Sequence, residues 1–262
     1  MQVLAYFIIS LLASVAGAIC GIGGGVIIKP TLDLFHLDSV ATVSFLSGCT
    51  VLAMSCYSVT KALRAGDSKV DLKLGTPLAL GAAVGGVAGK QMFGVISAQF
   101  AETAGAVQAA CLFAITLGTM VYTLCKGRIR TKRIFKAWLC VVIGLLLGIM
   151  SSFLGIGGGP INLVVFYYFF SMDTKTAAQN SLYVILISQI TSLAFTLITA
   201  SVPAFSWASL ALMVAGGIGG GMLGRQCNKR MDNKAVDKLF IGLMCVIMAI
   251  SLYNVYQYAF AV

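Results

Sequence analysis

Gly21-Ile22-Gly23-Gly24-Gly25 interrupts a long apolar stretch, and the pattern returns 134 residues later as Gly155-Ile156-Gly157-Gly158-Gly159. Four glycines in five residues cannot serve a helix interior, where each costs about 1 kcal/mol against alanine. Two matching breaks in two apolar halves are the signature of a transporter built from internal repeats, with its binding site at the breaks. In hydrocarbon, unwound backbone is tolerated only inside protein or against a water-filled cavity. The breaks therefore constrain both the fold and the place where a polar ligand can sit.

The surrounding sequence fits that setting. The 262 residues are 59% hydrophobic and only 10% charged, with a mean hydropathy of +0.97, whereas soluble domains carry about 25% charged residues. Apolar segments run over 3–20, 22–36, 40–60, 75–95 and 103–125, then 137–154, 157–171, 176–199, 207–224 and 236–258. That is five per half, so the expected fold is an all-α integral membrane protein with repeats over 1–125 and 126–262. The match extends past the breaks. Gly85-Gly86-Val87-Ala88-Gly89-Lys90-Gln91 answers Gly220-Gly221-Met222-Leu223-Gly224-Arg225-Gln226 at nearly the same offset. The four-residue glycine spacing there reads as a helix-packing face.

Charge sets the expected topology. In a soluble protein the net charge of +10 would suggest nucleic acid; here the basic residues lie in short loops between apolar runs. If segments 22–36 and 157–171 each return the chain to the side it came from, all 18 Lys and Arg except Lys29 and Lys90 fall on one side. The positive-inside rule then makes that side cytoplasmic, both termini external and the two halves inverted. The two segments, about 15 residues long, reach about 22 Å as helix against a core of about 30 Å. Re-entrant hairpins or discontinuous helices with glycine tips satisfy the same parity. The first 20 residues resemble the core of a signal peptide. They lack a preceding Lys or Arg and carry the first glycine copy, so they are read as part of the mature fold in a plasma-membrane protein.

Each glycine tip opens into a short helix, with Pro160 suited to a first turn. A helix start behind glycines presents unpaired N–H groups to an anion and lets it approach closely. The expected anion site comprises Gly21, Gly23, Gly24, Gly25, Gly155, Gly157, Gly158 and Gly159. Intramembrane polar residues join it, because such residues are functional candidates: Asn162, Ser44, Gln179, Asn180 and Ser181. Ser47, Thr50, Gln189, Thr191 and Ser192 lie further along the same helices. Lys29 is expected to snorkel to the outer surface, with Asp33 and His36 at that interface, and Lys90 to anchor there. Neither glycine cluster is a phosphate loop or a dinucleotide fingerprint, since Val26 and Pro160 follow where those motifs need other residues.

The chain resembles the TauE/SafE family, also called the sulfite exporter or TSUP family of permeases. The resemblance rests on Gly21 to Val26 with Pro30 downstream, on Ala41-Thr42-Val43-Ser44, and on Gly155 to Pro160 with Ala177 to Ser181 after it. It implies transport of a small sulfur-containing anion such as sulfite or an organosulfonate. Lys29 departs from the pattern, standing where an apolar residue is expected.

Enzymatic function finds little support. The eight acids all fall in loops or near helix ends, one histidine and no HExxH leave no evident metal site, and no cofactor is expected. The eight cysteines form no CxxC pair and read as buried small hydrophobes. The alternatives are a membrane-embedded sulfur relay through Cys20, Cys49 and Cys56, or an importer or permease of another small anion. The preferred function is an exporter working by alternating access; oligomerisation is left open. An apparent lack of intramembrane carboxylates for proton coupling favours export.

Overall fold

A computed structural model describes residues 2–35, 38–99, 101–156 and 158–260. Helices dominate throughout: α1 (Gln2–Cys20), α2 (Gly25–Leu34), α3 (Val40–Arg64), α4 (Leu72–Gln99) and α5 (Ala101–Cys125) are followed by a single 3₁₀ turn. Then come α6 (Ala137–Phe153), α7 (Pro160–Phe170), α8 (Thr174–Ile198), α9 (Trp207–Arg230) and α10 (Asn233–Phe260). The order of long and short helices is the same in both halves. Six of them (α3, α4, α5, α8, α9 and α10) are long and apolar enough to cross a membrane.

The short helices start where the glycines demand it. Gly21 and Gly23 both adopt φ +74°, a left-handed conformation that side chains rarely tolerate. That turn ends α1 and lets α2 fold back along it. The hairpin closes at its open end, where Tyr6 Oη donates to Asp38 Oδ2 at 2.5 Å. The second hairpin is built the same way. Pro160 occupies the first turn of α7, and the chain returns to the entry of α6 through Lys132 N–H to Tyr168 O (2.7 Å) and Ile134 N–H to Phe169 O (2.9 Å). Both short segments are therefore the returning legs of hairpins. At about 15 Å each, they reach roughly half the hydrocarbon thickness.

The recurring glycines set the helix pairs. On α4, a Cβ at Gly81, Gly85 or Gly89 would stand 2.1–2.3 Å from the carbonyls of Val141, Leu145 and Ile149 on α6. On α9, Gly216, Gly220 and Gly224 meet α1 from Phe7 to Ala18 in the same ascending order. Both pairs therefore run parallel at backbone contact. Lipid gives little hydrophobic drive between helices, so this close approach supplies the dispersion contact instead. Each pair joins a helix of residues 1–125 to one of residues 126–262, interlocking the halves. The apolar core lies between them, with Phe166, Leu163, Ile22, Val26, Leu78 and Met244 among its fully buried side chains.

Candidate functional site

The two glycine turns meet. Gly25 packs against the carbonyl of Ile156, and a Cβ built on Gly158 would lie 3.6 Å from the carbonyl of Ile22. Among the described residues, several buried polar atoms around this junction have no hydrogen-bond partner: Ser14, Ser44 and Ser47 Oγ, together with Asn162 Oδ1. Ser47 Oγ borders Gly25, Ser14 Oγ borders Gly24 and Ser44 Oγ borders Gly155. Buried polar groups are ordinarily paired, so this ring is suited to a polar ligand or to water.

A cavity of about 630 Å³ opens beside the junction. It lies between the first turns of α3, the last turns of α4 and α8, and the start of α5. That end of the bundle carries the α2–α3, α4–α5 and α8–α9 connections, opposite the basic loops. Its lining includes Gly155, Ser44, Ser152 and Gln189, with Lys90, Gln108, Ser192 and Thr196. Phe45, Phe93 and Phe195 supply apolar surface, and among the described residues no Asp or Glu lines the cavity. Lys90 Nζ donates to Thr196 Oγ1, and Thr196 Oγ1 in turn donates to Ser192 O at 2.8 Å.

Behind Gly155 lies a second cation. Lys29 is only 4% exposed. Its ammonium donates to Gln108 Oε1 at 2.5 Å and stands 3.8 Å from Asp33 Oδ2. The amide of Gln108 then donates to Phe153 O at 2.6 Å. Gln108 thus joins the cavity wall to a buried ion pair. This corrects three expectations. Lys29 does not snorkel, Asp33 is buried at 9% exposure rather than interfacial, and Lys90 lines a cavity instead of anchoring at the surface. Lys29 lies where α2 packs against α1, α3 and α10, so its ammonium is enclosed. The premise that no carboxylate lies inside the bundle falls with Asp33. His36 is outside the described residues.

Of the expected anion-site residues, Gly155 and Ser44 face the large cavity. Gly21, Gly23, Gly24, Gly25, Gly158 and Gly159 are consumed in packing, Gly21 against Ala178 and Gly158 against Ile185. Gly157 is outside the described residues. Asn162 is buried with Ser151, Ser188 and Gly158 around a recess only about as large as a water molecule. Ser181 is fully buried. Gln179 and Asn180 lie at the basic end and hold the α3–α4 loop. Gln179 Oε1 accepts from Lys69 N–H at 2.7 Å, and Asn180 accepts from Asp71 N–H and donates to Lys69 O, both at 3.0 Å. Sequence reasoning missed Gln108 altogether. Its signal was available, as a polar residue inside the apolar run 103–125.

At the basic end a smaller cavity of about 190 Å³ is lined by Asp67, Lys69, Lys175, Gln179, Arg225 and Lys229, among others. Asp67 bonds Arg225 and accepts from Lys229 Nζ at 2.5 Å. The Lys229 hydrogen bond, with the charges of Arg225 and Lys229, holds the Asp67 carboxyl below the usual carboxylate range despite an opposing burial effect. Among the described residues no group of His, Cys, Asp and Glu is arranged to hold a metal. The three thiols of the relay alternative do not share a surface: Cys20 is buried, Cys49 half-buried and Cys56 exposed.

The family model described as "Sulfite exporter TauE/SafE" matches residues 6–252. A "Probable membrane transporter protein YunE" of Bacillus subtilis (strain 168) is 24% identical over 247 residues, covering 87% of this chain and 89% of the relative. No solved structure matches the chain. Glycine-tipped hairpins, apolar spanning helices and a family match along nearly its whole length lead to one conclusion: the chain belongs to the TauE/SafE sulfite exporter family of multi-pass membrane transporters.

Proposed function

We propose that this protein exports a small sulfur-containing anion, such as sulfite or an organosulfonate, across the plasma membrane by alternating access. The observation that carries this is the 630 Å³ cavity with a lysine, amides and hydroxyls on its wall and, among the described residues, no carboxylate. An oxyanion there meets Lys90, the unpartnered Ser44 hydroxyl and the Gln189 amide, with Gly155 leaving room for close approach. The two hairpins then enter from opposite faces and touch at their tips, which form the barrier between the outer cavity and the basic cytoplasmic end. The basic loops on one side support this orientation.

Direction follows from charge. A cytoplasm negative by 100 mV drives each anionic charge outward with about 2.3 kcal/mol, so export requires no coupled ion. The test is efflux of ³⁵S-sulfite from proteoliposomes with the membrane potential clamped by potassium and valinomycin. Efflux should accelerate when the compartment holding the anion is made negative. A flux indifferent to potential, or absent for sulfite and simple sulfonates alike, would reject the proposal.

A further inference from the structure

The cavity at the basic end brings four cations (Lys69, Lys175, Arg225 and Lys229) around one carboxylate, Asp67. Asp67 belongs to the short loop between α3 and α4, while Arg225 and Lys229 stand one turn apart on α9. Each of its two carboxylate oxygens takes one partner: Oδ1 bonds Arg225 Nη2 and Oδ2 bonds Lys229 Nζ. A small oxyanion would engage the same fork in the same way, because guanidinium and ammonium groups recognise paired oxygens whether carried by carbon or sulfur.

A second observation concerns how Asp67 comes to be there. The loop is strapped to the start of α8 by Gln179 and Asn180, whose side chains hold its backbone at Lys69 and Asp71. Ser58, also lining this cavity, has a buried hydroxyl without a partner. The site thus combines surplus positive charge, an unpaired buried donor and a tethered anion. Arg225 also stands where the repeat places Lys90 in the other half, and each of the two lines its own cavity.

Resting on the transport function proposed above, we infer that Arg225 and Lys229 form a cytoplasmic oxyanion-binding site. The Asp67 carboxylate occupies this site until a free substrate anion displaces it. Displacement frees the Asp67 end of the loop between α3 and α4, while Gln179 and Asn180 keep their hold at Lys69 and Asp71, so the substrate loosens its own entrance. The ligand class is a small oxyanion with at least two terminal oxygens, a sulfonate or sulfite.

Calorimetric titration of the detergent-solubilised full chain with methanesulfonate tests the competition without requiring any flux. Asp67→Asn should bind about tenfold more tightly than the unaltered protein, because the tethered competitor is neutralised. Asp67→Glu keeps the competitor and should bind like the unaltered protein. Adding Arg225→Gln to Asp67→Asn should abolish the gain, with thermal unfolding confirming that each variant is folded. Unchanged or weaker binding by Asp67→Asn, or a gain that survives Arg225→Gln, overturns the inference. Failure of the transport proposal would look different: no anion efflux from vesicles, whatever the calorimetric result.

Discussion

Gly25 lies so close to the Ile156 carbonyl that a Cβ on Gly25 would stand 2.2 Å from its oxygen. The two residues come from the two copies of the repeated motif, so the chain's internal duplication becomes a physical contact at the junction of the hairpins. Neither backbone can withdraw without moving a hairpin, since Gly21 is pinned against Ala178 and Gly158 against Ile185.

Gly25→Ala should therefore separate the tips. The expected cost is about 1–3 kcal/mol, typical of overpacking a tight contact, with anion flux lost or uncoupled from potential. Gly242 supplies the comparison. It lies on α10 with nothing within 4 Å of a Cβ placed there, so Gly242→Ala should leave flux intact and add at most about 1 kcal/mol through helix propensity. Thermal unfolding in detergent and vesicle efflux read both effects. Equal behaviour of the two variants would mean the tip contact is incidental.

Lys90→Gln should lower apparent affinity for the exported anion at least tenfold while leaving folding nearly unchanged. Lys90 is half-buried and donates to the Thr196 hydroxyl, so among the described residues removing its charge strands no acid. Lys90→Arg should retain part of the affinity. Flux measured over a range of anion concentrations checks this, and an unchanged concentration dependence in Lys90→Gln would move the anion site away from this cavity.

What the sequence made legible was mostly local. The hairpin turns follow from glycines, the start of α7 from Pro160, and the parallel helix pairs from glycines at four-residue spacing. Each of these needs only short-range sterics and helical periodicity. The site was harder because its residues meet over long separations. Lys29 finds Gln108 across 79 positions and Asn180 reaches the loop at Asp71 across 109. No spacing rule encodes such meetings. The two lysines that break the charge pattern, Lys29 and Lys90, read from sequence as interfacial anchors, because a lysine in an apolar run can either snorkel or be enclosed. The deciding quantity is what packs around it. The glycine N–H groups were expected to hold the anion, yet the turns are largely spent on packing against α8 and each other.

The buried ion pair makes a separate prediction. Lys29 and Asp33 have side-chain exposures of 5% and 9%, so Lys29→Met alone or Asp33→Leu alone should cost about 3–5 kcal/mol by leaving a buried charge uncompensated. The double variant Lys29→Met/Asp33→Leu should recover much of that loss, because two apolar side chains replace two desolvated ions. Chemical or thermal unfolding of all four proteins gives the coupling directly. Additive losses would show that the two charges are compensated by other groups. If the double variant folds well but no longer transports, the pair serves the anion and not merely the fold.

The last prediction concerns pH and Asp67. Its carboxyl is held below the usual range, first by the Lys229 hydrogen bond and then by the charges of Arg225 and Lys229. Lys69 and Lys175 also line the cavity. A depressed carboxylate keeps its partners at every pH above its ordinary value of about 3.9 and releases them only as pH falls through the lower folded value. The difference in methanesulfonate affinity between the unaltered protein and Asp67→Asn should therefore stay constant from about pH 8 to pH 5. It should close only in stronger acid, once Asp67 takes up a proton and ceases to compete. Calorimetric titrations across that range provide the measurement. A gap that closes with a midpoint near pH 6–7 would assign the competition to a group other than Asp67.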